Sequence, residues 1–568
     1  MSANAPLKVV LCWHMHQPQY CNLLNEEYQL PWTYLHAIKD YVDMAAHLEA
    51  VPGARAVVNF APILLEQIAD YADQVRDFLA DGRRIRDPLL AALAEPALPV
   101  ATEQRMVLVR DCLRAHRERM IGRFPCYQKL AEMAEFLEEH PDGMAYLSDQ
   151  YLEDLLVWYH LAWMAETVRR DDDRIQHLQE KGFGFTLKDR HQLLKVIGEL
   201  VSGLLPRYRA LADAGQVELA MNPYAHPILP LLLDMRCALE AMPEAPLPNL
   251  EGYPDGAGRA RWHLEQGRAI FQRHFGREPT GCWPSEGAVS GPTLALLEEH
   301  GFGWAATGES VLRNSLTAER GEAAGEAEHV MYQPYRLAEG RVACFFRDDG
   351  LSDLIGFTYS DWHADDAVAN FVHHLENIAR VEAGKPGRLV PVILDGENAW
   401  EHYPENGFYF LRALYERLVE HPDLELSTFS DVLAETGELE ALGQLVAGSW
   451  VYGTLSTWIG DKDKNRGWEM LGDAKRAFDH ASGSLDPARL DKAGRQLAVC
   501  EGSDWFWWFG DYNPEDTVSD FERLYRLHLT NLYALLSLDP PEYLAHSFTH
   551  GSGRPEHGGT MRHGKMKG

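Results

Sequence analysis

Two acidic residues stand where apolar runs give way to loops. Glu286 follows one such run in Gly281-Cys282-Trp283-Pro284-Ser285-Glu286-Gly287, where proline and glycine would make the loop rigid. Asp395 directly ends another in Val392-Ile393-Leu394-Asp395-Gly396-Glu397-Asn398. Glycoside cleavage needs such a pair: one carboxylate attacks the anomeric carbon, and a second, kept protonated, gives its proton to the leaving oxygen. Burial and a neighbouring negative charge would raise the pKa of the acid. An acid opening a loop also serves as a helix cap or turn former, so the weight falls on what surrounds these two.

Seven short apolar runs recur along the chain: Lys8–Trp13, Arg55–Phe60, Gln216–Met221, Thr280–Trp283, Gly303–Ala306, Val342–Phe346 and Leu389–Leu394. Most are separated by helical periodicity, which predicts a parallel sheet buried on both faces and, at this length, closed into a barrel. Polar residues cluster where the runs end. His14 and His16 follow the first, Asn59 closes the second, Glu218 lies within the third and Glu286 follows the fourth. Thr307 follows the fifth, Arg347 and Asp348 the sixth, and Asp395 the seventh. In a parallel barrel such positions converge on the C-terminal face, where loops build active sites.

The stretch between the second and third runs is too long for a connection and reads as a helical insertion at about 66–212, with helical patterns at Thr102–Ile121, Tyr151–Val168 and Leu193–Leu205. The barrel and its insertion are expected to fill residues 1–435. Phe408–Glu420 reads as helix, Leu424–Phe429 as a short strand and Asp520–Leu538 as helix, so a helix-rich C-terminal region is expected over 436–545. The segment 546–568, rich in glycine and histidine, has too little apolar surface to offset the entropy of ordering and is expected to be a disordered tail.

Acidic residues outnumber basic ones 85 to 53, a net charge of −32 that repels phosphate backbones and anionic lipid, so neither nucleic acid nor membrane is an expected partner. A neutral polymer meets no such penalty. The eight cysteines are scattered without a C-x-x-C pair, and Val9–Trp13 is too short for a signal-peptide core or a membrane span; a cytoplasmic protein is expected. His14-Met15-His16 could set two imidazoles on one zinc ion, but no second compact set of ligands follows at metal spacing, and no metal or other cofactor is expected. Aromatic residues make up 10% of the chain, with a run at Trp505-Phe506-Trp507-Trp508-Phe509; such rings stack on pyranose faces or fill a core, and consecutive ones cannot all face one pocket.

Taken together, these segments resemble glycoside hydrolase family 57, and within it the α-amylase and amylopullulanase branch. The likeness is carried by His14-Met15-His16-Gln17-Pro18 with the downstream Leu30–Tyr41 segment, and by Gly215–Glu218 running into Pro223-Tyr224-Ala225-His226-Pro227. It continues through Cys282–Ser290, Leu394–Glu401, and Gly448-Ser449-Trp450 with Trp458-Ile459-Gly460 and Asn465-Arg466. The resemblance implies a (β/α)7 barrel with a helical C-terminal region, retention of the α-anomer, Glu286 as nucleophile and Asp395 as acid/base. It also places His14, His16, Glu218, Trp283, Trp450 and Trp458 around the sugar, beside which Arg347, Asp348 and Trp400 are candidates from their position. Where that branch often carries a histidine ahead of Gly448, Leu445-Val446-Ala447 stands, a departure bearing on subsite preference.

The function expected is hydrolysis of α-1,4 bonds of an α-glucan, with α-1,6 bonds as a further target. A 4-α-glucanotransferase or branching enzyme would use the same pair and pass the sugar to another glucan. A metal-dependent carbohydrate deacetylase, using His14 and His16, is the alternative from a different class. A glucan-binding protein that no longer catalyses is disfavoured by the presence of both carboxylates.

Overall fold

The computed structural model describes residues 5–327, 330–553 and 561. Seven strands form close to the seven predicted runs: β1 (Leu7–Met15), β2 (Ala56–Phe60), β3 (Val217–Met221), β4 (Gly281–Cys282), β5 (Trp304–Gly308), β6 (Ala343–Arg347) and β7 (Leu389–Asp395). All pair in parallel, in the order β7-β1-β2-β3-β4-β5-β6. The architecture is a (β/α)7 barrel whose ladder is open between β6 and β7 among the described residues. Two bonds span that gap: the Asp348 amide donates to the Pro391 carbonyl at 2.8 Å, and Arg347 Nε donates to the Ile393 carbonyl at 2.8 Å.

Register decides what meets at the rim. The β1–β7 ladder runs from Lys8 opposite Leu389 to His14 opposite Asp395, and on the other side of β1 His14 lies opposite Asn59. The interior is a packed core in which Val10, Cys12, Val57, Ala220, Trp283, Trp304, Phe345 and Ile393 join Phe429 and Val432 below. Trp283 and Trp450 form its upper layer. The barrel is therefore solid, and a substrate can only sit on its rim.

Eight α-helices fill the interval from Pro62 to Asp213, ending in the long helix Leu187–Asp213, which Thr186 and Asp189 cap reciprocally. The helix predicted over Thr102–Ile121 stops at Asp111 and resumes at Arg117, leaving a loop that brings Arg114, Ala115 and His116 to the cleft. The strand predicted over Leu424–Phe429 ends at Leu426, because Thr428 caps the helix Phe429–Glu435. After the barrel come the helices Lys462–Ser482, Pro487–Cys500, Ser503–Trp508 and Glu515–Leu535.

The expectation of a disordered tail from 546 is corrected over its first eight residues. Ser552 and Gly553 donate their amides to the carbonyls of Asp511 and Asn513, and Thr549 Oγ1 donates to Asp463 at 2.9 Å. These hydrogen bonds, together with Phe548 packed on Phe509 and Tyr525, order this stretch. Residues 554–560 and 562–568 lie outside the described residues. All eight cysteines are unpaired, and no helix among the described residues is long and apolar enough to cross a membrane.

Candidate active site

Glu286 owes its position to a strained turn. After β4 the chain passes through Pro284, and Glu286 takes the left-handed conformation (φ 60°, ψ 23°), which costs a non-glycine residue about 1–2 kcal/mol. Gly287 follows at φ 58°, with so little room that an added Cβ would lie 2.9 Å from the Trp283 ring. The turn is stapled to the segment 448–450: Val289 and Gly448 exchange both backbone hydrogen bonds, and the Trp450 amide donates to the Glu286 carbonyl at 3.2 Å. Trp450 Nε1 donates to Glu286 Oε2 at 3.2 Å, and Ser503 Oγ donates to Oε1 at 3.4 Å. The strain is thus held by contacts from two remote parts of the chain.

Asp395 ends β7 and accepts from Asn398 Nδ2 at 2.9 Å. It shares with Glu286 a cleft of about 450 Å³ at the C-terminal rim. His14, His16 and Gln17 line it from the β1 loop, Trp163 and His116 from the helical insertion, and Trp450, Asp504, Trp507 and Trp508 from the C-terminal part. Three distant stretches of chain build one groove, with flat aromatic faces beside carboxyl and imidazole groups. That is the surface a sugar polymer needs.

Burial, followed by the charges of Asp395 and Asp504, pushes the Glu286 carboxyl up to about 8, against the hydrogen bonds from Trp450 and Ser503. Burial also raises Asp395, to about 6, with Asn398, His16 and Arg347 opposing it. Near neutral pH the pair therefore retains a proton between them, the stoichiometry that acid-and-nucleophile chemistry requires. Burial lowers His14 to about 3, and its Nδ1 pairs with Asn59 Oδ1 at 2.8 Å. His14 is a neutral ring that can donate or accept.

His16, His226 and Asp504 are the one group among the described residues whose ligand atoms lie close enough to share an ion. Nε2 of His16 is 2.8 Å from Asp504 Oδ1. The rings of His16 and His226, however, stack at 3.8 Å between centroids and 20° between planes. Imidazole lone pairs lie in the ring plane, so two nearly parallel rings this close direct them along separate lines and not onto one ion. The arrangement suits a ladder of hydroxyl contacts better than coordination.

Of the residues singled out from sequence, Glu286, Asp395, His14, His16 and Trp450 line the cleft. Arg347 borders a smaller adjoining cavity with Asp395 and Trp450, its guanidinium 5.5 Å from the Trp450 ring centre and its other nitrogens paired with Asp349 and Asp353. Trp283 is buried behind Trp450, with ring centres 5.2 Å apart. Trp400 is buried beneath the Asp395 loop and donates to the Gly396 carbonyl at 2.9 Å; Trp458 is buried against Trp507. Asp348 caps the helix Asp349–Asp353 and accepts from Tyr332. None of these last four lines the cleft.

Glu218 must be moved furthest from its expected place. It is the second residue of β3, at the N-terminal end of the barrel, where it accepts from Thr280, Trp304 and Ser430. Strand direction separates it from the rim. The residues not singled out are Glu397, Asp504, His226 and Ser503. Glu397 and His226 lie within segments that carry the family resemblance, whereas nothing in the sequence signals that 503–504 return to the first loop. That return is fixed by buried Glu501, which accepts from Arg259, His263 and Tyr253; these partners overcome the burial that would raise it and hold it at about 2. In the run 505–509, Trp507 and Trp508 face the cleft, while Phe506 stacks on Trp468 in the core at 4.4 Å.

A family model for glycosyl hydrolase family 57 matches residues 10–442. The chain belongs to that family and is an enzyme of the glycosidase class. Its fold is similar to that of a branching enzyme from Thermococcus kodakaraensis, with 17% identity, TM-score 0.57, and 96% of this chain and 92% of that one covered. It is also similar to the α-amylase AmyC from Thermotoga maritima, with 15% identity, TM-score 0.56, and coverage of 94% and 93%. A 4-α-glucanotransferase from Thermococcus litoralis matches at 12% identity and TM-score 0.50, over 93% of this chain and 60% of that one.

Proposed function

We propose that the protein is a retaining α-glucan hydrolase of the α-amylase and amylopullulanase branch, in which Glu286 attacks the anomeric carbon and Asp395 serves as general acid and then base. The observation that carries this reading is the shared cleft: two buried carboxyls at strand ends, one proton between them near neutral pH, and tryptophans on either side. Without substrate the shared proton rests more readily on Glu286, raised to about 8, than on Asp395, raised to about 6, so these roles require it to pass to Asp395 when a sugar fills the cleft, with the bond from Trp450 Nε1 favouring the Glu286 carboxylate. As Glu286 forms its bond to carbon, Asp395 gives its proton to the departing glucosidic oxygen. Asp395 then removes a proton from the incoming hydroxyl while the glycosyl ester is cleaved, and the α-configuration returns.

Water and a second glucan are the two acceptors that intermediate can meet, and the branching enzyme and glucanotransferase of similar fold are named for the second. Incubation with maltoheptaose reads the outcome. New reducing ends in step with substrate loss support hydrolysis, whereas redistributed chain lengths with constant reducing ends assign transfer. If neither appears, while an acetylated sugar releases acetate only when zinc is supplied, the proposal fails in favour of a deacetylase. Starch and pullulan, compared in the same way, separate α-1,4 from α-1,6 cleavage. Eight unpaired thiols and a net charge of −32 suit a soluble glucan in a reducing cytoplasm.

A further inference from the structure

A third carboxyl stands beside the pair and has no part in the steps above. Glu397, two residues beyond Asp395, lines the same cleft and is only 3% exposed. Between them, the Gly396 amide donates to the His14 carbonyl at 2.7 Å, and an added Cβ on Gly396 would lie 2.2 Å from Met15 Sδ. The loops after β1 and β7 are therefore pressed together at this point. Glu397 Oε1 fastens them, accepting from the His16 amide at 3.3 Å and from Gln17 Nε2 at 3.2 Å.

The other oxygen, Oε2, is buried without a hydrogen bond of good geometry, and the Tyr41 hydroxyl, which interacts with this carboxyl, is buried without one too. Among the described residues no ion pair neutralises this carboxyl: Lys39, the nearest in sequence to Tyr41, is engaged with Asp40 and Asn406. A buried carboxylate with a poorly donated oxygen and acidic neighbours is costly, and a proton on that oxygen relieves the cost. The titratable and charged groups around it are Asp395 on its own loop, His16 on the β1 loop, and Asp40, Tyr41, Tyr20 and Tyr208. Glu286, Asp504 and Arg347 enclose Asp395 from the other elements.

We propose that Glu397 is a positioning residue: an uncharged carboxylic acid that ties the loop of His16 and Gln17 to the loop of Asp395 without adding a further negative charge beside the catalytic pair. As an anion coupled to Asp395, it would hold that group's proton too tightly to give away; as a neutral acid, it orders both loops without that penalty. Burial, Asp395 and Asp40 all push Glu397 in the required direction. The inference rests on the roles proposed for Glu286 and Asp395.

Two measurements test it. Infrared difference spectra of the wild type against Glu397→Gln, taken at about pH 8, where an ordinary carboxyl is ionised, should contain the carbonyl stretch of a protonated carboxyl. Its absence would overturn the proposal, and this readout needs no activity. In kinetics, Glu397→Ala should lower kcat by roughly 10–100-fold, as expected when reacting groups lose their spacing. Glu397→Gln, neutral and of the same shape, should recover most of that loss. Equal impairment in both variants would mean that the charge is required, and an unimpaired Glu397→Ala would mean that the tie is dispensable; either result rejects the proposal. If Asp395→Ala kept full turnover while the infrared band was present, the reading of the pair would fail, and the neutral state of Glu397 would stand.

Discussion

The two ends of this barrel treat their carboxyls in opposite ways. At the N-terminal end Glu218 accepts from Thr280, Trp304 and both the amide and hydroxyl of Ser430. Each of its oxygens is satisfied within the protein. At the C-terminal rim Glu286 has two donors at 3.2 and 3.4 Å on a strained turn, Asp395 has one, and Glu397 leaves an oxygen unmatched. A carboxyl whose hydrogen bonds are complete lowers the energy of the fold and has nothing left to offer. Carboxyls with spare capacity are held at a cost that a ligand can relieve. On the proposed roles, this barrel separates stability from chemistry by strand direction.

Removing the rim carboxyls should produce the largest effects and, on the proposed roles, different ones. Glu286→Ala should lower kcat on maltooligosaccharides by at least about 10³-fold with little change in melting temperature. Added azide should then enter from the opposite face and give a β-glycosyl azide. Asp395→Ala should cost about 10²–10⁴-fold on glucans and less in glycosylation from aryl glycosides whose leaving groups need little protonation. There azide would capture the intermediate as the α-glycosyl azide. Reversed azide configurations would exchange the two roles, and near wild-type turnover in both variants would move the chemistry elsewhere.

The bottom of the barrel should answer in the opposite sense. Glu218→Ala strips acceptors from the buried Trp304 indole and from half-buried Ser430, and the unmatched indole N–H alone should cost about 1–3 kcal/mol. Thermal denaturation should report a lower melting temperature. In the surviving native protein kcat and KM for maltoheptaose should change less than about threefold, since uniform destabilisation far from a site leaves its transition-state contacts in place. A selective fall in kcat without destabilisation would erase the division between the two ends.

This division also explains what could be read from sequence. Glu286 and Asp395 were legible because each follows an apolar run, and a strand's end fixes its face of the barrel. Glu218 sits inside its run, and its position as the second of five strand residues, not its residue type, sends it to the other end. Asp348 belongs to a helix cap, a role that sequence shares with catalytic acids. Trp400 and Trp458 are large enough to serve as core or platform, and only packing decides between them. Asp504 and His226 meet His16 through contacts between segments far apart in the chain, which no local pattern encodes.

The smallest predicted effect concerns the cost of keeping Glu286 ready. Its carboxyl is raised from 4.5 to about 8 by burial and by Asp395 and Asp504, so the folded state binds a proton that the unfolded chain releases earlier. For a raised carboxyl the stabilising contribution is fully present below the unfolded value, about 4.5, and is lost as pH climbs through the folded value, about 8. Across that window the native protein should lose stability with rising pH, and part of the loss should belong to this one residue. Glu286→Gln keeps the shape of the side chain and carries no proton to lose. Its melting temperature plotted against pH should therefore be flatter than that of the wild type between about pH 5 and 8, with the two curves separating most at the alkaline end, where the variant is the more stable. The same substitution at Glu218 should instead lower stability at every pH, because it converts a matched acceptor into an unmatched donor. Parallel curves for Glu286→Gln and wild type would mean that the rim carboxyl is ionised without penalty, and the contrast between the two ends of the barrel would not rest on electrostatics.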